Sequence, residues 1–324
     1  MSKPVIAFYS NSADDGSPPT WSDEHHKLAR EQLLAILINK GTTPVVVYNK
    51  KENYLGDGEF LQYWLPELSE SDNLIIYKKM NNRIKGNLLY CRTADFPNRD
   101  GVGRINTMPI PEICRDKYLS YLFAPDMHSH SYLLSNKEQL DVFWLSHSNK
   151  KVVLKALLSE GGEGVFIGTK SEYKDDFDFP ILAQEFIDTS SGYQDLTSGK
   201  HDIRVTLFDG QPIYGLLREP PKSGDISNLM FGGSIQALYV SELPPKLIEL
   251  TKELDRRFAV PAPRFFSADF GYNGHEWKLF ELNSLTGLVH KSVVGPAADD
   301  YLEMLAEYLK KHAINFKKEQ DKNG

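Results

Sequence analysis

Two cysteines in 324 residues, Cys91 and Cys114, are too few for a disulfide framework, and isolated thiols in such a chain are ordinarily buried and reduced. Long apolar runs are missing too. The longest, such as "LLAILI" at 33–38, falls far short of the roughly 20 residues a spanning helix needs, and no signal peptide is visible. A cytoplasmic protein without a membrane partner is the expectation. Basic charge is not in excess: 37 Lys and Arg against 44 Asp and Glu give −7, which argues against a broad nucleic-acid surface. Local positive charge for a small anion is still allowed. No G-x-G-x-x-G follows the first apolar run, no Walker A loop occurs, and neither a Ser-His-Asp nor a Cys-His nucleophile signature is present. Internal repeats and low-complexity segments are absent as well.

What is present reads as helices interleaved with hairpins. "PVIAFYSN", an amphipathic pattern through Ala29, Leu33, Ile36 and Leu37 that stops at Gly41, and "PVVVYN" make strand, helix, strand, an α/β layer over about the first hundred residues. Pro111 opens a helix "PEICRDKYLSYLF", and Ser135 with Glu138 forms a capping box ahead of "QLDVFWL". "KVVLKAL", the loop "SEGGEG" and "VFIG" read as a hairpin with a glycine-rich tip, and "ILAQEFI" as a further strand. A second hairpin, "HDIRVTLF" to "QPIYGLLRE", turns at Asp209-Gly210. A third, "RFFSADFGY" to "EWKLFELN", turns at Asn273-Gly274. The helix "PKLIELTKELDRRF" precedes the third hairpin, and "ADDYLEMLAEYLKKHA" closes the pattern before a lysine-rich tail expected to be frayed and solvated.

Four groups of residues carry chemistry. In "KLFELN" strict alternation places Leu279, Glu281 and Asn283 on one face, and Asp269 falls on the opposing strand. Two carboxylates that close repel unless a cation sits between them, and oxygen-only ligands favour Mg²⁺ or Mn²⁺ over zinc. Exposed acids on a solvated face are the plain alternative. Lys155 projects just before Gly161, Gly162, Glu163 and Gly164, whose backbone can offer N–H groups to phosphate; glycines at hairpin tips also occur for steric reasons alone. Arg204 and Arg218 lie on the two strands of one hairpin, and their fixed forks suit phosphate or carboxylate, although surface arginines in sheets are ordinary. The long stretch "PPKSGDISNLMFGGS" places Asn228, Gly232 and Gly233 where a substrate could approach the backbone closely, or in a plain surface loop. His128 and His130 in "MHSHSY" share a strand face but lack a third zinc ligand nearby.

Taken in this order, the motifs resemble the ATP-grasp superfamily, nearest to the bacterial glutathione synthetase and ribosomal-protein glutamate ligase branch, over roughly residues 105–310. The resemblance implies an α/β and α+β protein: an N-terminal Rossmann-like pre-ATP-grasp layer (1–110), a small lobe with the glycine-rich flap (111–188), a C-terminal lobe with the metal site (189–312) and a polar tail (313–324). It further implies Lys117 and Lys155 on the nucleotide, the flap Gly161, Gly162, Glu163 and Gly164 over the phosphates, and Gln184, Glu185, Phe186 and Ile187 as the adenine hinge, with Asp188 toward the ribose. The family's D-x-R is similar to Asp202-Ile203-Arg204, its R-x-P-P to Arg218-Glu219-Pro220-Pro221, its N-x-x-x-G-G to Asn228–Gly233, and its metal-binding D…E-x-N to Asp269, Glu281 and Asn283.

Such a protein uses ATP and Mg²⁺ (or Mn²⁺) to activate a small-molecule or peptide carboxylate as an acyl phosphate, which an amine displaces. Arg218 and Arg204 would be the catalytic residues. Family members often form dimers or tetramers, so a homo-oligomer is open, and Arg92, Asn11 and Ser12 are guesses for acceptor contacts. Three departures stand out: Ala156 follows the flap lysine where proline is usual, the insert "TSSGYQDLTSGKH" is longer than many members carry, and "NSLTGL" replaces N-x-x-P-G. The last two touch the nucleotide rim and the substrate pocket, so the substrate is not inherited. A phosphotransferase acting on a hydroxyl, or a nucleotide-binding regulator without turnover, would use the same residues.

Overall fold

A computed structural model describes residues 2–10, 19, 24–48, 51–70, 74–91, 102–159, 163–174, 177–222, 224–227, 232–284 and 286–323. The chain divides into two compact units: residues 1–107, 260–265 and 285–324 in one, 108–259 and 266–284 in the other.

The first unit is built on a six-stranded sheet in the order Ile75–Met80, Tyr63–Leu68, Thr43–Tyr48, Val5–Ser10, Leu88–Cys91, Gly103–Ile105. Val5–Ser10 runs parallel to both its neighbours, and Leu88–Cys91 runs parallel to Gly103–Ile105. The two outer strands Tyr63–Leu68 and Ile75–Met80 are antiparallel. The helix Glu24–Asn39 crosses over between parallel strands, as a parallel pair requires, and buries Ala29, Leu33, Leu34 and Leu37.

The tail expected to fray instead continues the helix Ala297–Asn323. Tyr301, Leu302, Leu305, Ala306, Leu309 and Ala313 recur at helical spacing and are buried. Phe316 lies so close to Gly103 that an added Cβ there would be 1.9 Å from its ring, and Gln320 accepts a hydrogen bond from Asn87 at 2.6 Å. Lys311 and Lys318, which made the segment look solvated, are exposed. Among the described residues no helix is long and apolar enough to cross a membrane.

The second unit holds two sheets. One has the order Ser131–Leu134, Ile181–Glu185, Val152–Ala156, Val165–Gly168, all antiparallel, with Leu140, Phe143 and Trp144 of the helix Lys137–His147 packed on Leu134, Val152, Leu154, Ile181 and Ala183. That helix is capped one residue later than the sequence suggests. Asn136 accepts from the Gln139 N–H at 3.0 Å, while Gln139 reaches back to the Ser135 N–H at 2.7 Å.

The other sheet has the order Ser234–Leu238, Gln211–Glu219, Asp202–Phe208, Phe265–Tyr272, Trp277–Asn283. Its first hairpin turns through Asp209 (φ +47°) and Gly210 (φ +79°), the paired positive φ angles of a type I′ turn. The helix Pro245–Phe258 forms as its pattern predicts and buries Leu247, Thr251, Leu254 and Phe258.

Candidate active site

The five-stranded sheet carries a chain of contacts running Arg204, Asp269, Arg218, Asp202. Cross-strand register sets Arg218 opposite Asp202, and alternation puts Asp202 and Arg204 on one face. Arg204 donates from Nε to Asp269 Oδ1 and from NH2 to Oδ2, each at 2.7 Å. Arg218 donates from Nε to Asp202 Oδ1 at 2.6 Å and from NH2 to Asp269 Oδ2 at 2.7 Å. Each guanidinium thus spends its Nε–NH2 edge on carboxylate. The NH1 group of each has no acceptor among the described residues.

Asp269 and Asp202 are both buried. Burial works against the charge on Asp269, but Arg204 and then Arg218 outweigh it and hold the carboxyl well below the usual range. Asp202 goes the other way. Burial raises it and Asp269 adds repulsion, with Arg218 opposing only in part. Arg218 resists the effect of its own burial because Asp202 and Asp269 face it.

Asp269 is in register with Glu281, and Ser267 with Asn283. The third hairpin differs from the strict alternation expected. A bulge pairs Phe270 with Leu279 and leaves Phe280 as the extra residue, so Leu279 and Leu282 are both buried while Glu281 and Asn283 are only partly covered. Leu279 therefore does not share the face of Glu281 and Asn283.

The bulge has a polar use, because the Phe280 carbonyl accepts from Lys155 Nζ at 3.1 Å. Burial lowers the Lys155 pKa to about 8; Glu281 opposes the fall and the neighbouring Lys117 adds to it. Lys117 lies 3.7 Å from Glu281 Oε1 and donates to both the carbonyl and, at 3.1 Å, the hydroxyl of Ser159.

Lys117 reaches this place through a break in the chain. The helix expected from Pro111 to Phe123 is two, Ile110–Arg115 and Lys117–Phe123, with Asp116 extended between them. Asp116 Oδ1 accepts from the Tyr118 and Leu119 N–H groups at 2.8 and 3.1 Å, capping the second helix. Asp116 and Ser159 escaped the motif reading. "RDKYL" does contain a local N-cap signal at Asp116, whereas nothing in the sequence marks Ser159.

The other expected residues are spread around this centre. Gln184 and Glu185 end the strand Ile181–Glu185, with the Gln184 amide donating to Ser131 Oγ at 2.7 Å. Phe186, Ile187 and Asp188 follow outside it. Asp188 accepts from the Ser190 N–H at 2.9 Å, which lowers its pKa. Gly164 (φ +61°) lies beside the hairpin strand, its carbonyl accepting from the Ala156 N–H at 2.8 Å, and Glu163 precedes it. Gly232 (φ +83°) has open space around it, and Gly233 leads into Ser234–Leu238. Gly161, Gly162 and Asn228 lie outside the described residues, as do Asn11, Ser12 and Arg92.

His128 and His130 precede the strand Ser131–Leu134 instead of sharing its face. His128 is buried, with Nε2 3.5 Å from Ser120 Oγ, and burial pulls its pKa down to about 3. Cys114 is a buried thiol whose pKa burial pushes up.

Whether a cation fits turns on the donor set. Among the described residues no three His, Cys, Asp or Glu side chains converge as a metal cluster. Glu281 and Asn283 nevertheless present a carboxylate and an amide on one face, and Asp269 Oδ2 is within 3.4 Å of the Asn283 amide. One or two carboxylates with phosphate oxygens and water suit Mg²⁺, which does not need an all-protein cage. The set fits that ion, with Asp269 sharing its lone pairs with the two guanidiniums.

Residues 117–258 match the family described as the prokaryotic glutathione synthetase ATP-grasp domain. A search among curated proteins finds no match. Solved structures do resemble the chain. The ATP-grasp ligase PsnB, complexed with a phosphomimetic variant of minimal precursor, Mg and ADP, is 13% identical with a TM-score of 0.60, over 97% of this chain and 99% of that one. The D-alanine–D-alanine ligase of Bacillus anthracis, complexed with ATP, is 14% identical with a TM-score of 0.58, over 99% and 100%. A RiPP-associated ATP-grasp ligase of Chryseobacterium gregarium, in complex with ADP and a leader and core peptide, is 12% identical with a TM-score of 0.56, over 95% and 97%. At such identities the likeness is one of fold. Residues 117–258 thus match an ATP-grasp domain, and the chain as a whole shares the fold of these ATP-grasp ligases.

Proposed function

We propose that this protein is an ATP- and Mg²⁺-dependent carboxylate–amine ligase that forms an amide or peptide bond through an acyl phosphate and releases ADP and phosphate. The observation that carries this reading is the pair of arginines held edge-on by Asp269 and Asp202, each with an NH1 group that meets no acceptor among the described residues. Two fixed guanidinium corners beside a lysine and a carboxylate–amide pair make a cradle for a transferring phosphoryl group. Phosphoryl transfer needs chiefly positioning and charge stabilisation.

Lys117 and Lys155 would bind the nucleotide phosphates, exchanging their present contacts with Ser159 and the Phe280 carbonyl for phosphate oxygens. Glu281 and Asn283, with Asp269, would hold Mg²⁺, which when bound neutralises charge on the phosphates. Arg218 NH1 and Arg204 NH1 would meet the γ-phosphoryl oxygens while the substrate carboxylate attacks, and then the oxyanion formed as the amine adds. The flap residues Gly161–Gly164 would exclude water from the acyl phosphate. The hinge Gln184–Ile187 would hold adenine, and Asn228, Gly232 and Gly233 would line the substrate side. Peptides bound by PsnB and the Chryseobacterium ligase, and the small substrate of the D-alanine ligase, support a peptide or small-molecule carboxylate as the acid.

The test is ADP release from Mg²⁺ and ATP with pooled amino acids and short peptides, with mass spectrometry of the products, in the wild type and Glu281→Gln. Amine-dependent ADP release with loss of one water from the combined substrates, abolished by the substitution, is expected. A phosphorylated product that accumulates and persists in the presence of amines would replace the ligase by a phosphotransferase.

A further inference from the structure

The insert 189–201, between the hinge strand and the strand bearing Arg204, has no part in the reading above. It is a built element. Gly192 takes φ +67°, and a Cβ there would fall 2.2 Å from the Thr197 carbonyl, so the turn admits only glycine. Tyr193 and Thr197 pair across it as an antiparallel bridge. The Tyr193 ring packs on Tyr272 and Trp277, both at 4.9 Å, and the His201 ring meets Trp277 edge-on at 6.0 Å. Thr189 Oγ1 accepts the His201 N–H at 3.0 Å and closes the base. The insert is thus anchored on the end of the third hairpin.

Two polar arms leave this anchor. Thr197 Oγ1 donates to Glu219 Oε1 at 2.6 Å, and Ser234 Oγ, on the paired strand, donates to Glu219 Oε2 at 3.2 Å. Glu219 is the residue after Arg218, so alternation turns its side chain away from the face where Arg218 meets Asp202 and Asp269. The second arm is Lys200, whose Nζ donates to Asp225 Oδ1 at 2.7 Å and to the Gly224 carbonyl at 3.2 Å. Asp225 Oδ2 also accepts from Lys151, whose ammonium lies 4.7 Å from the centre of the Phe186 ring. The segment that begins with Arg218 is therefore gripped twice from the insert, once immediately behind Arg218 and once a few residues on, and tied through Lys151 to the hinge.

We infer that the insert is a strut that fixes Arg218 for the γ-phosphoryl group, with Thr197 and Lys200 as positioning residues acting through Glu219 and Asp225. The inference rests on the ligase reading. Arg218 is the last residue but one of the strand Gln211–Glu219, so fraying of that end would let its guanidinium swing. The grip on Glu219 from behind leaves the Asp202 and Asp269 contacts with one geometry to satisfy, and a guanidinium held in place before the substrate arrives needs no reorganisation when charge develops.

The experiment is calorimetric titration of Mg²⁺ with ADP and, separately, with the β,γ-imido analogue of ATP. The proteins are the wild type, Arg218→Gln, Thr197→Val, Lys200→Met, the Thr197→Val/Lys200→Met pair, Lys200→Arg, and the pair combined with Arg218→Gln. The readout is the ratio of the two affinities, which a loss of general stability does not move. Arg218→Gln should lower the analogue's advantage over ADP about tenfold, the size of one charge-assisted hydrogen bond. The Thr197→Val/Lys200→Met pair should lose most of the same advantage with ADP affinity unchanged, Lys200→Arg should keep it, and the combined variant should lose no more than Arg218→Gln alone. If the pair fails to fold, each single substitution should show part of the loss.

A wild-type ratio in the pair, alongside a reduced ratio in Arg218→Gln, would overturn the strut while leaving the ligase reading intact. Fully additive losses would overturn it too. A wild type that binds neither nucleotide, or an Arg218→Gln protein with the wild-type ratio, would overturn the reading on which the inference stands.

Discussion

Arg204 and Asp269 meet edge to edge, Nε to Oδ1 and NH2 to Oδ2 at 2.7 Å each, across 65 positions of sequence. The contact joins neighbouring strands of the five-stranded sheet and leaves the carboxylate almost sealed from water. Removing one member of such a pair strands a buried charge. Asp269→Asn should therefore cost roughly 3–5 kcal/mol in urea unfolding. A loss near that of an exposed pair, about 1 kcal/mol or less, would show the contact idle.

The same pair sets an acid limit. Its arginines hold the folded pKa of Asp269 below the unfolded value of about 3.9, so its contribution is complete above that pH and is lost as pH falls through the lower, folded value. In an Asp202→Asn background, which removes the neighbouring carboxyl that Asp269 pushes up, the stability difference made by Asp269→Asn should stay constant from neutrality to about pH 4 and shrink only in stronger acid. Unfolding curves at stepped pH would check it.

Lys155 gives the opposite window. Its folded pKa of about 8 lies below the ordinary lysine value of about 10.5, so the unfolded chain binds more protons between the two. Stability of the wild type relative to Lys155→Met should rise as pH climbs through that window. A difference flat from pH 7 to 10.5 would mean that Lys155 is not held in a desolvated site.

Asp116 caps the helix that begins at Lys117. Asp116→Ala should cost about 1 kcal/mol and weaken nucleotide binding by loosening Lys117, while Asp116→Ser, which keeps an acceptor, should retain both. Melting and ADP titration of the two variants separate these outcomes.

Gly271 faces Phe280 so closely that a Cβ would fall 2.2 Å from its ring and 2.7 Å from the Thr189 methyl. Gly271→Ala should destabilise by about 1–3 kcal/mol through overpacking and, by shifting the bulge, reduce Mg²⁺-dependent ADP release. Unchanged turnover at lowered stability would place the bulge outside the site.

Much of the local architecture could be read from residues a few positions apart. Asp209-Gly210 supplies the two positive φ angles of its hairpin turn, and the spacing of Leu247, Thr251, Leu254 and Phe258 sets a helix face. Misreadings came where a single residue or a distant partner decided. Asp116 broke a pattern that looked continuous, because an aspartate that caps two N–H groups outweighs the periodicity around it. Asn136 took the cap from Ser135 by one position. The polar tail became helix because Ala313 is buried and Phe316 packs against Gly103, far away in sequence.

The sequence by itself determined the first strand–helix–strand, the hairpins with their turn positions and the motif residues from Lys117 to Asn283 that suggest ATP-grasp chemistry, since these depend on local propensity and spacing. Tertiary structure alone decided how those residues meet. Arg218 bridges Asp202 and Asp269, the bulge at Phe280 offers its carbonyl to Lys155, and the insert grips Glu219 and Asp225. Each of these contacts depends on strand register and on pairings between segments distant in sequence. Register follows from burying one face of every strand at once, a constraint that no local stretch contains.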